Sequence, residues 1–164
     1  MSAVDQLLQA NEGYAQDFTK GDLPIPPGRR VAVVTCMDAR IVTSRLLGLD
    51  EGDAHVIRNA GGSAREALRS LVISQRLLGT NEIAIIHHTD CGMLTFSNED
   101  LHAKVRDDLG ADASHIDFLP FADLEQSVRD DVDFLKGSSL IPEEVVIRGF
   151  IYDVKSGRLT DVEC

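Results

Sequence analysis

The sequence predicts an α/β fold: a mostly parallel central sheet of four parallel strands plus an antiparallel edge strand, flanked by helices. Two observations carry that expectation. Apolar runs of strand length alternate with segments of helical spacing, the order that builds a parallel sheet through helical crossovers. The first and third runs, VAVVTC and EIAIIHH, are also apolar on both faces, which suits strands covered from both sides. At 164 residues the chain fits one domain with its own core.

Residues 3–18 place Val4, Leu7, Leu8, Tyr14 and Phe18 at helical spacing. The stretch LPIPP (23–27) cuts this helix off, because three prolines in five residues cannot continue it. VAVVTC (31–36) is the first strand and IVTSRLLGL (41–49) a short helix. AHVIRNAG (54–61) is the second strand. Ser63 to Glu66 fits a capping box, opening a helix that runs to about Leu78 and stops at Gly79. EIAIIHH (82–88) is the third strand, and helices are expected at about 99–109 and 121–136, with a loop around Pro120. EVVIRGFIYDV (144–154) is the fourth strand, and KSGR (155–158) turns it into a short last one, LTDVE.

The formal net charge is −11, and residues 97–135 alone carry a net of −8. Such a chain repels phosphate backbones, and it has no basic stripe, so nucleic acid is not expected as a partner. The acidic stretch itself fits a solvated helical face. No apolar run approaches the ~20 residues of a membrane span, so no membrane partner is expected. The first residues lack a basic start and a continuous apolar core, unlike a secretory signal. A cytoplasmic location is expected.

Functional groups in open parallel sheets gather at the carboxyl ends of the strands. AVVTCMDAR (32–40) sets Cys36, Asp38 and Arg40 at the mouth of the first strand. IAIIHHTDCG (83–92) sets His88 and Cys91 at the end of the third. If these strands are neighbours, both groups meet. Two thiolates and an imidazole favour zinc, and three protein ligands with one open position mark a catalytic site. Asp38 would then accept a hydrogen bond from the reacting hydroxide, or bind the metal itself and close the site. Arg40 would clamp Asp38, keeping it ionised and turned away from the metal. His87 and His88 point to opposite strand faces; the spacing to Cys91 selects His88 as ligand and leaves His87 to packing or to supporting the ligands from behind. His55, His102 and His115 read as surface or satisfied core groups, and Cys164 and Asp90 receive no role. Gly61 and Gly62 before a helix fit either an anion site or a tight turn.

CMDAR (36–40) followed by HTDCG (88–92) resembles the β-class carbonic anhydrases, as do HVIRNAGG (55–62) and RGFIYDVKSGRL (148–159). The likeness covers most of the chain from Pro26 on and is greatest to the short bacterial and archaeal members, including mycobacterial ones. The resemblance implies one Zn2+ per subunit on Cys36, His88 and Cys91, with Asp38 and Arg40 as the catalytic dyad. It implies reversible hydration of carbon dioxide to bicarbonate by hydroxide generated at the zinc. It also implies a single domain over residues 1–164, working as a homodimer or homotetramer. The helix and linker of residues 1–27 would then pack on a partner subunit. Hydrolysis of carbonyl sulfide or carbon disulfide at the same zinc site is the alternative, since pocket lining and not the motif separates these substrates. A non-catalytic zinc or bicarbonate sensor is a further reading. A dithiol redox protein would need a C-x-x-C motif, which the sequence lacks.

Overall fold

The computed structural model describes residues 1–164. Its strands are β1 (Val31–Cys36), β2 (Ala54–Asn59), β3 (Glu82–His88), β4 (Val146–Tyr152) and β5 (Leu159–Val162). Its helices are α1 (Ala3–Gln16), α2 (Thr43–Leu47), α3 (Ala64–Leu78), α4 (Asn98–Leu109) and α5 (Leu124–Lys136). The sheet order is β2-β1-β3-β4-β5; the first four strands are parallel, and β5 adds the antiparallel edge. The expected fold class is therefore the observed one. No helix is long and apolar enough to cross a membrane.

The order places β1 beside β3, and the chain reverses its direction of travel across the sheet between them. The carboxyl ends of two such strands diverge into separate loops, which makes the crevice where open sheets hold their ligands. α3 packs over β1 and β2, and α5 over β3 and β4. Between them lies a core of Ala32, Val34, Leu71, Ile83, Ile85, Val132 and Leu135, all buried. Gly149 of β4 lets α5 settle close to the sheet, since a side chain there would run into Val128 and Val132.

The start of α3 differs from the expected capping box. Ser63 Oγ does accept the Glu66 N–H, at 3.5 Å. The return bond comes from elsewhere: Ser63 N–H donates to Asn59 Oδ1 at 2.7 Å, and Asn59 Nδ2 donates back to the Ser63 carbonyl at 2.9 Å. The expected second strand is also shorter, because residues 60–62 tighten into a 3₁₀ turn. That turn brings Gly62 against the last bond of β1. Its φ is +74°, and a Cβ would stand 2.9 Å from the Thr35 carbonyl carbon and 3.0 Å from the Cys36 nitrogen. The glycine pair thus has a packing reason: it allows the chain to press on the backbone of Cys36.

His87 and His88 part to opposite faces. His87 is buried under α5, where its Nδ1 lies 2.8 Å from Ser127 Oγ and its Nε2 3.2 Å from Asp131 Oδ2. Ser127 gives its own hydrogen to the Leu124 carbonyl. Asp131 Oδ2 also accepts the Ala64 N–H, at 2.8 Å, joining β3, α5 and the start of α3.

Gly62→Ala is expected to cost about 2 kcal/mol or more, from left-handed backbone strain plus contact with the β1 backbone. Urea unfolding measures it; a variant as stable as the parent would contradict the close approach.

Candidate metal centre

The side chain of Thr35 donates to the Ile86 carbonyl at 2.9 Å, fastening the ends of β1 and β3 together. Cys36 is the last residue of β1, and His88 the last of β3. The chain then turns through Asp90, whose φ is +56°, so that Cys91 comes back beside both. The two sulfurs and a ring nitrogen of His88 lie within 4.8 Å of one another, and all three residues are buried.

The orientation of His88 is informative. Its Nδ1 lies 2.8 Å from the Thr89 carbonyl and can only donate to it. In the neutral ring this leaves a lone pair on Nε2, which is fully buried and has no hydrogen-bond partner. An orphaned buried acceptor facing two thiols is a costly arrangement unless something binds there. The donor set, one imidazole nitrogen and two sulfurs, suits zinc and disfavours magnesium or calcium.

A hydrogen bond with the Cys91 thiol lowers the pKa of Cys36, against the opposing effect of burial. The Cys91 thiol rises correspondingly, since losing its proton would set a second anion beside the first in a buried site. Burial alone would favour a neutral His88, but Cys36, the Thr89 carbonyl and Asp38 together raise its pKa.

Asp38 and Arg40 form a bidentate pair: Nε to Oδ1 at 2.9 Å and Nη2 to Oδ2 at 2.8 Å. The Arg40 guanidinium holds the Asp38 carboxyl well below the usual carboxylate range. Asp38 Oδ2 stands 3.8 Å from His88 Nε2, at the rim of the thiol and imidazole cluster. Ile41, Met93, Phe121 and Tyr152 pack around the two cysteines, giving the site apolar walls.

Two other residues position this site, and neither was assigned a role from the sequence. Arg58, near the end of β2, donates from Nε to the Cys36 carbonyl at 3.0 Å and from Nη2 to the Asp38 carbonyl at 2.7 Å. It holds the backbone on both sides of Met37. Its signal was its place near the end of a strand beside β1, opposite Thr35 in register. Thr89 ties the His88 loop to β4: its N–H donates to the Tyr152 carbonyl, and its hydroxyl to Asp153 Oδ1 at 3.3 Å. The remaining histidines lie apart. His55 meets Ser74, His102 meets the Ile116 carbonyl, and His115 is exposed. Cys164 is exposed at the chain end. A cleft of about 560 Å³ opens beside His87, Arg65 and Phe121, but none of Cys36, Asp38, His88 or Cys91 lines it.

Residues 31–159 match the carbonic anhydrase family model. The chain is 43% identical over 165 residues to β-carbonic anhydrase 1 of Mycobacterium tuberculosis, with 99% of each protein covered. It superposes on the crystal structure of carbonic anhydrase from Streptococcus mutans with a TM-score of 0.95, at 49% identity and over 99% of each chain. Carbon disulfide hydrolase of Acidithiobacillus thiooxidans is a more distant relative, 33% identical over 97% of this chain and 90% of that one. With the Cys36, His88 and Cys91 triad typical of the zinc site of such enzymes, the chain belongs to the carbonic anhydrase family, in its β class.

Proposed function

We propose that this protein catalyses the reversible hydration of carbon dioxide to bicarbonate, with one zinc ion per subunit held by Cys36, His88 and Cys91 and with Asp38 and Arg40 ordering the reaction. The observation that carries the proposal is the buried, unpartnered Nε2 of His88 facing two thiols at the mouth of the sheet. A bound zinc ion supplies the Lewis acidity that makes a water molecule nucleophilic near neutral pH.

The chain's own groups do the rest. The Thr89 carbonyl fixes the His88 ring, so Nε2 points into the cluster. Arg40 occupies both oxygens of Asp38, keeping it an anion that can only accept. From the rim of the cluster, Asp38 accepts the hydrogen of the nucleophile and turns its free lone pair toward the carbon of carbon dioxide. One water and one carbon dioxide give bicarbonate and a proton, which passes to buffer. The apolar walls of Ile41, Met93 and Phe121 suit an uncharged, linear substrate and disfavour retention of the anionic product.

We also propose that the enzyme is a homodimer or homotetramer in which residues 1–27 pack on a second subunit. α1 contains no buried residue, and Leu7 and Leu8 are each 70% exposed. The side chains of Tyr14 and Lys20 reach the body at Glu51. A reducing cytoplasm is the proposed location, because it keeps Cys36 and Cys91 available as ligands.

Stopped-flow hydration on zinc-loaded protein, with sulfide release from carbonyl sulfide and carbon disulfide assayed on the same sample, tests the activity. Fast hydration with little sulfide is expected; slow hydration with clear sulfide release would favour the activity of the Acidithiobacillus relative. Asp38→Ala is expected to keep its zinc and lose about 100-fold in kcat, and unchanged turnover would remove the ordering role. Cys91→Ala is expected to lose the metal; a full zinc load would sink the ligand assignment. Light scattering on the double variant Leu7→Glu, Leu8→Glu is expected to give a smaller assembly than the parent. An equal mass would remove α1 from the interface.

A further inference from the structure

Asp90 lies between two residues of the cluster, with a φ of +56° that few side chains other than Asn and Asp tolerate. Its carboxylate does not cap its own turn. Oδ2 reaches across the site and accepts from Arg40 Nη1 at 2.7 Å, while the Asp90 carbonyl accepts from Arg40 Nη2 at 3.0 Å. The same guanidinium gives Nε and Nη2 to Asp38. One planar cation is therefore held by two carboxylates from two loops, one after β1 and one after β3.

Asp38 alone would leave the pair free to swing as a unit about the Asp38 side chain. The second anchor removes that freedom, because the guanidinium can satisfy both loops in one orientation only. What is fixed is the place of Asp38, whose Oδ2 is 3.8 Å from His88 Nε2 and so is within a short rotation of becoming a fourth donor to the cluster.

We propose that Asp90 is a positioning residue: by anchoring Arg40 from the far loop, it keeps Asp38 turned toward Arg40 and the fourth position beside Cys36, His88 and Cys91 open. The proposal rests on the zinc assignment and adds to it the device that separates an open site from a self-closed one. Asp90 and Arg40 side chains are 68% and 46% exposed, so their ion pair contributes little to folding. The consequence of losing Asp90 is thus expected in the site and not in stability.

The test uses the full chain loaded with cobalt(II) in place of zinc, titrated with thiocyanate, a small anion that enters an open fourth position. Asp90→Gly removes the carboxylate and relieves the left-handed backbone. Asp90→Asn keeps both the turn preference and an acceptor oxygen. The parent's visible spectrum is expected to change with thiocyanate. In Asp90→Gly the response is expected to need at least roughly 10-fold more anion, and kcat/KM of the zinc form to fall about 10-fold or more, with one metal per chain and an unchanged Tm. Asp90→Asn is expected to recover most of both. An Asp90→Gly protein that answers thiocyanate as the parent does overturns the proposal while leaving the zinc assignment intact. Loss of metal or of Tm in that variant also overturns it, making Asp90 a residue of loop folding. A parent that takes up no cobalt would overturn the metal assignment and this proposal with it.

Discussion

The parallel pairing of β1 with β3 is the constraint on which the site depends. Thr35 stands beside Ile86 in register, and its hydroxyl is bonded to the Ile86 carbonyl. A slip of one residue would turn every side chain of β1 to the opposite face. It would bury the wrong set against α3 and carry Cys36 away from His88. The core therefore holds the site in register: Ala32 and Val34 on β1, and Ile83 and Ile85 on β3, are buried under the same two helices. Gly62 adds a second constraint, pressing the turn after β2 onto the backbone that carries Cys36.

Charge sets the chemistry within that frame. Two sulfurs and a carboxylate are gathered where little water reaches, in a chain that is already acidic. Arg40 answers the carboxylate directly. Arg58 answers it indirectly, by drawing the Cys36 and Asp38 carbonyls toward its own guanidinium. Neither arginine offers anything to the sulfurs or to His88 Nε2, so the cluster keeps an unmet demand for a cation. A cation-binding site can be recognised by such a deficit as well as by its donors.

Much of this was legible in the sequence, and the parts that were not share a cause. The strands and helices announced themselves through periodicity, and the meeting of Cys36 with His88 and Cys91 followed from the rule that functional groups gather at the carboxyl ends of neighbouring parallel strands. The spacing to Cys91 singled out His88 over His87, and the alternation of a strand turned the two to opposite faces. In contrast, the partner of Ser63 at the start of α3 is Asn59 as well as Glu66, because the tight turn through Gly62 brings the end of β2 back. Arg58 and Asp90 went unassigned because their partners, the carbonyls of β1 and Arg40, lie far off in sequence. Local patterns report the face a side chain takes; which distant backbone group it meets depends on strand order and loop path.

The most direct test of the account is X-ray absorption at the zinc edge of the purified, zinc-loaded protein. The account predicts two sulfurs at about 2.3 Å and one imidazole nitrogen at about 2.0 Å, with one light-atom scatterer completing a four-coordinate shell. A shell without sulfur, or one with sulfurs beyond the two from Cys36 and Cys91, would contradict it.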